Sequence, residues 1–315
     1  MPEKRELPSL PKGFTARGAT MEDAQAVTDL IVAHNVAAFG SPDVDLAEVE
    51  GDWRRPSMDI AEDEHLVFAP DGPLVAWAEV FFPQDAQALV LQEWRGRGIG
   101  AHLLCWTERR AEERAKEGST ETLIRQSVLD SDEAGRNLFT SSGYDPVWSS
   151  WDLELQLGDG VYRAPPPDGV TIREFRRGKD DRIVHRVIDD AFMEWSRREP
   201  EPFDDWREYT LERTGADPSL WFVAESGEEV VGAVITFFSP QDGDGWIQEL
   251  AVAATHRRRG VGSALLSRSF TELALRGATK AALTTDSRGG ARALYEGVGM
   301  KVIRSYTKFE RELSI

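Results

Sequence analysis

Two stretches of the chain carry the same alternation of apolar runs and polar breaks. The first reads Phe68-Ala-Pro-Asp-Gly-Pro-Leu-Val-Ala-Trp-Ala-Glu-Val-Phe81, the second Val223-Ala-Glu-Ser-Gly-Glu-Glu-Val-Val-Gly-Ala-Val-Ile-Thr-Phe237. Each is a short apolar strand, a tight turn containing glycine and a second β-rich strand, which predicts a hairpin. Each hairpin is followed by a glycine-bearing loop that opens a helical stretch. After Gly262 the apolar positions Leu266, Phe270, Leu273 and Ala274 recur at helical spacing and define one buried face. Each half then closes on a helix, a glycine and a last strand, at Leu138-Phe139…Gly143-Tyr144 and at Leu294-Tyr295…Gly299-Met300.

Four landmarks in one order argue for an internal duplication. Three consecutive prolines at 165–167 lack amide hydrogens and favour an extended spacer. The expected division is therefore residues 1–156, a linker at 157–168, and residues 169–315. Each copy reads strand, one or two helices, three strands, helix, strand, helix, strand. That order predicts an α/β (α+β) fold, a mixed, mostly antiparallel sheet flanked by helices.

Composition narrows the function. The 315 residues carry a net charge of −18, which repels a phosphate backbone and argues against nucleic-acid binding. No apolar run is long enough to span a bilayer, and the N-terminus leads into no apolar stretch of signal-peptide length. The one cysteine, Cys105, fits a reducing compartment, so a cytoplasmic protein is expected. Five scattered histidines give no ligand spacing, and no metal is expected.

The glycine loops read Arg95-Gly96-Arg97-Gly98-Ile99-Gly100 and Arg257-Arg258-Arg259-Gly260-Val261-Gly262-Ser263. Glycine permits backbone torsions that a side chain forbids, and a helix start presents unpaired amides. Together they suit a diphosphate. Both loops come late in their copy, unlike a dinucleotide-binding loop, and neither has the Gly-Lys-Ser/Thr of a nucleotide triphosphate loop.

With these motifs the chain resembles the GNAT N-acetyltransferase superfamily, whose signature is a strand ending Leu-x-Val, then Arg/Gln-x-x-Gly-x-Gly/Ala and a long helix. The second copy carries it from Leu250-Ala251-Val252 through Arg257 to Gly262; the first has Ala88-Leu-Val90 before Arg95 to Gly100. A further family signature is matched by Ala291-Arg-Ala-Leu-Tyr295-Glu-Gly-Val-Gly299-Met300. The resemblance implies two tandem GNAT domains that use acetyl-CoA as co-substrate. It implies that the Leu250–Val252 backbone pairs with the pantetheine arm and that residues 257–263 hold the diphosphate. It also implies that Tyr295 gives a proton to the departing thiolate, beside the plain reading of a core tyrosine.

Glu249, just before Leu250, is the candidate base, and an exposed strand glutamate without a role is the other reading. The first copy has Gln87 and Phe139 at these two places, so it is expected to bind or scaffold rather than catalyse. Arg288 stands where the family often has Asn.

The expected activity is acetyl transfer to a primary amine of a small molecule or peptide. The acceptor region, from Ala191 through Trp195 and Phe203 to Trp206, does not name that amine. Mycothiol synthase is similar in layout, but Trp246 stands where its strand carries an acid. A non-catalytic acyl-CoA sensor is the alternative of a different class. No feature of the sequence sets an oligomeric state.

Overall fold

The computed structural model describes residues 6–81, 85–116, 123–158, 163–194, 199–240 and 243–313. The first half runs β1 (Thr15–Arg17), α1 (Ala24–Phe39), α2 (Leu46–Trp53), α3 (Ile60–Asp63), β2 (Glu64–Phe68), β3 (Leu74–Phe81), β4 (Asp85–Val90), α4 (Ile99–Lys116), β5 (Leu123–Leu129), α5 (Glu133–Ser141) and β6 (Asp145–Gln156). The second half repeats the order as β7 (Val170–Glu174), α6 (Asp181–Phe192), α7 (Phe203–Trp206), β8 (Phe222–Ser226), β9 (Glu229–Ser239), β10 (Asp244–Val252), α8 (Val261–Leu275), β11 (Lys280–Asp286), α9 (Arg292–Gly297) and β12 (Lys301–Glu312). This is the mixed α/β order the sequence predicts, twice over.

The compact units are not the two halves of the sequence. One comprises residues 1–147, 204–215 and 307–315; the other comprises 148–203 and 216–306. The expected limits at 156 and 169 therefore differ from the observed division, for physical reasons. Trp148 onward, β6 pairs antiparallel with β11, from Ser150↔Asp286 to Gln156↔Lys280. The end of β12 places Phe309 and Leu313 in the core of the first unit with Val80, Ile124 and Tyr144. Segment 204–215 is held there by charge: Arg213 pairs with Asp45 at 3.1 Å, and Arg55 stacks on Tyr209 at 4.3 Å. Residues 159–162 of the expected linker lie outside the described residues.

In the first unit β1, β2, β3 and β4 pair antiparallel in sequence order. Among the described residues β4 then meets β5 in parallel at Asp85↔Arg125 and Ala86↔Gln126. In the second unit β7, β8, β9 and β10 likewise pair antiparallel. Among the described residues β10 meets β11 in parallel over Asp244–Trp246. In both units the two parallel strands part beyond these residues, after Ala86 and after Trp246. The strand stretch beyond that point keeps backbone amides and carbonyls on one edge for another partner.

α8 buries Leu265, Leu266, Phe270 and Leu273, as the helical spacing predicts, while Ala274 is half-buried. Among the described residues no helix is long and apolar enough to cross a membrane.

Candidate active site

The two glycine loops have the same local geometry. Arg258 and Gly260 take positive φ, 58° and 94°, and Gly96 and Gly98 take 74° and 88°. Arg258 is the non-glycine residue with positive φ among those described. Each loop is closed by a first helical bond, from Ala264 N–H to Gly260 O and from His102 N–H to Gly98 O. The amides of residues 261–263 and 99–101 thus precede the first bonded turn and are available to an anion. A side chain at Gly260 or Gly98 would meet nothing within 4 Å, so the space over each loop is open.

The neighbouring glycines do different work. A Cβ on Gly262 would come within 3.1 Å of Leu294, and one on Gly100 within 3.3 Å of Leu138. These two glycines let the helix after the loop pack against the short helix that follows. That packing brings Leu294, the residue before Tyr295, onto the loop.

The loop arginines divide likewise. Arg257 donates from Nε to Val252 O at 2.8 Å and pairs with Glu194. Arg95 donates to Val90 O at 3.3 Å and pairs with Asp132 at 3.0 Å. Both side chains tie the loop to its strand end, so they are not free cations. Arg97 stacks on Trp94 at 4.8 Å. Arg258 and Arg259 are exposed and have no ion-pair partner among the described residues. In a chain of net charge −18, two unpaired arginines over a row of amides suit a polyanion.

In β10 the pairing with β9 slips between Ile247 and Glu249, so Gln248 forms a bulge. Leu250 and Val252 lie toward Gly262 on the α8 side. By strand alternation the half-buried Glu249 and the buried Ala251 point to the opposite face. Trp246 donates to Gln248 Oε1 at 2.9 Å.

Tyr295 is 7% exposed, and burial pushes its hydroxyl up to about 12. Its ring is core and its hydroxyl makes no hydrogen bond among the described residues. Arg288, which replaces the family asparagine, is pinned by Asp286 at 2.5 Å and stacks on Trp148 at 4.0 Å.

The first unit holds a cavity of about 460 Å³ in the corresponding place. Its walls are the splayed strand Ala88–Val90, the loop residues Arg95, Gly98 and Gly100, and Phe139 on α5. Phe139 stacks on Phe309 at 5.4 Å and offers no proton.

Sequence spacing missed several arrangements. Histidines scattered along the chain are brought together by the fold, His65 and His102 at 2.9 Å. Among the described residues, no group of three or more side chains is placed to hold a metal. Trp206 is 1% exposed in the first unit, so it is a core residue there. Trp195 lies outside the described residues.

Parting strands, a left-handed loop and a helix start with free amides define an acyl-CoA-dependent transferase fold. Residues 182–300 match the model of the acetyltransferase (GNAT) family. The solved structure of a GCN5-related N-acetyltransferase from Sphaerobacter thermophilus is 31% identical, with a TM-score of 0.78, over 96% of this chain and 97% of that one. A mycothiol acetyltransferase of Tsukamurella paurometabola is 29% identical over 72% of this chain and 74% of its own length. A tandem GNAT protein from the clavulanic acid biosynthesis pathway shares the fold at 15% identity and a TM-score of 0.71, over 96% of this chain and 99% of its own. The chain belongs to the GNAT acetyltransferase family. It is an acetyl-CoA-dependent N-acetyltransferase.

Proposed function

We propose that the second copy carries the chemistry and moves the acetyl group to a primary amine. The observation that carries this reading is Tyr295, a residue with a buried ring whose hydroxyl proton is uncommitted among the described residues, next to the loop contact at Leu294. Main-chain amides of residues 260–263, with Arg258 and Arg259, would hold the diphosphate. The open edge at Leu250, Ala251 and Val252 would pair with the pantetheine arm. Glu249 takes the amine proton, directly or through water, and Tyr295 protonates the thiolate as the amide forms. Since burial holds the hydroxyl of Tyr295 near 12, it stays protonated at neutral pH and can donate.

The first copy keeps the loop and the cavity, and we assign it acetyl-CoA binding as well. Calorimetry tests both loops. Asp tolerates positive φ better than most residues, so Gly260→Asp and Gly98→Asp should each fold and remove one of two acetyl-CoA sites. A full complement of sites in either variant rules out that loop.

A mycothiol-type acceptor is the second reading. It is favoured by relatives named mycothiol acetyltransferase at 26–29% identity; Trp246 counts against it. Thiol release across a panel of amines decides between acceptors. A sequence with one cysteine, Cys105, agrees with a cytoplasmic site of action.

A further inference from the structure

Three strands of the first unit place three polar side chains in one row. Glu64 on β2 stands directly opposite Glu79 on β3, and Glu79 stands opposite Gln87 on β4. Gln87 donates from Nε2 to Glu79 Oε1 at 2.8 Å, and Trp77 donates from Nε1 to Glu64 Oε2 at 2.5 Å. Glu64 is 1% and Glu79 8% exposed, and the sealed Oε1 of Glu64 has no donor. Two ionised carboxylates facing each other across a sheet repel, and burial sharpens the penalty. Burial and the facing carboxylate raise Glu64 well above the usual range. Burial, with the charge of Asp52, pushes Glu79 up to about 8, against the opposing pull of its hydrogen bond with Glu64 and of Arg55. The row therefore holds a proton at neutral pH.

Its position is what makes this row chemical. Gln87 is exposed and directly follows Ala86, the last residue of β4 paired with β5. The next three residues, Ala88, Leu89 and Val90, line the 460 Å³ cavity. In the second unit the corresponding cross-strand pair is Glu249 on β10 opposite Ile235 on β9. The first copy has exchanged that arrangement: the carboxyl has moved one strand over, from the Gln87 position to Glu79. Comparison of β4 with β10 alone shows only the loss.

We propose that the N-terminal half is a second acyl-transfer site in which Glu79, one side chain behind the open edge of β4, accepts the proton of an attacking amine through water. This rests on the reading that the Arg95–Gly100 loop holds acetyl-CoA. The amine nitrogen forms a bond to the acetyl carbon as the carbon–sulfur bond breaks. The nitrogen loses its proton to Glu79, which returns it to solvent. Phe139 has no proton to give, so water protonates the thiolate.

The test uses the full chain carrying Gly260→Asp, with hydroxylamine as the smallest amine-type acceptor. This protein should bind one acetyl-CoA by calorimetry and release thiol at least tenfold above the free-solution rate, with a rate that rises with pH around 8. Glu79→Gln should lower kcat by about 10²-fold, flatten the profile and leave acetyl-CoA affinity unchanged, while Glu79→Asp restores part of the rate. Independently of turnover, the infrared band of protonated carboxyls at pH 7 should weaken in Glu79→Gln by the share of Glu79, while buried Glu64 keeps its own proton. Acetyl-CoA bound without thiol release above the free rate overturns the second site, as does an unchanged rate or band in Glu79→Gln. Loss of all acetyl-CoA binding in Gly260→Asp instead overturns the reading of the N-terminal loop on which it rests.

Discussion

Arg258 holds in the C-terminal loop the left-handed backbone position that Gly96 holds in the N-terminal loop. A non-glycine residue there costs about 1–2 kcal/mol, and glycine in its place would add chain entropy of about 0.5–1 kcal/mol to the unfolded state. Arg258→Gly should thus raise stability by about 1.5 kcal/mol at most. The exposed guanidinium has no carboxylate partner among the described residues, so its loss should weaken acetyl-CoA binding by about threefold to tenfold, an effect that shrinks in high salt. Calorimetry at two salt concentrations checks it; equal affinity for wild type and variant would remove Arg258 from the site.

The two glycines of the C-terminal loop should respond differently to alanine. At Gly260 space is open but φ is 94°, so Gly260→Ala should cost about 1–2 kcal/mol by backbone strain. At Gly262 the backbone suits a helix and the obstacle is Leu294 at 3.1 Å. Relief of helix entropy, about 1 kcal/mol, offsets that overlap, so Gly262→Ala should be nearly neutral in denaturant melts. It should still lower kcat, because Leu294 must give way and Tyr295 is its neighbour.

Tyr295→Phe should leave acetyl-CoA affinity nearly unchanged, since the buried ring still packs, and reduce turnover at the C-terminal site by about 10²–10⁴-fold. The sign with pH also follows. A hydroxyl pushed up to about 12 stays protonated through the working range, so wild-type kcat should show no loss below pH 10 that the variant abolishes. A basic limb near pH 8 that vanishes in Tyr295→Phe would contradict the buried environment.

Local signals carried the fold. Turn glycines, β-rich hairpins and the apolar face at Leu266, Phe270 and Leu273 act over a few residues, and they gave the element order of both copies. The glycine-loop geometry was legible because its physics lies in six consecutive residues. The extent of the compact units was not legible, since residues 204–215 and 307–315 join the first unit through partners far along the chain, such as Asp45 for Arg213. The same reason hid Glu64 and Glu79. Each looks like an ordinary strand glutamate until the register sets it opposite the other. The arginines of the loops were over-read for the converse reason: sequence cannot show that Arg95 and Arg257 are turned to their own strand ends.

The carboxyl pair should leave a signature in stability as well as in chemistry. Glu79 is raised from an ordinary 4.5 to about 8, first by burial. Below 4.5 both folded and unfolded chains hold its proton, so its full contribution to stability is present there. Between 4.5 and 8 the unfolded chain releases the proton while the folded chain keeps it, and stability falls as pH rises. Above about 8 both are ionised and the decline ends. Other groups act with the opposite sign: Asp23, drawn down to about 2 chiefly by its hydrogen bond to Arg17, loses stability as pH falls. The difference between Glu79→Gln and wild type isolates the carboxyl pair, Glu79 directly and Glu64 through the charge it faces. Glutamine keeps the volume and cannot ionise, so the variant should gain on wild type from pH 5 to pH 8, by about 1 kcal/mol or more. Urea melts at the two pH values measure that gain, and a difference between the proteins that is the same at both would mean Glu79 is ionised in the folded chain at neutral pH.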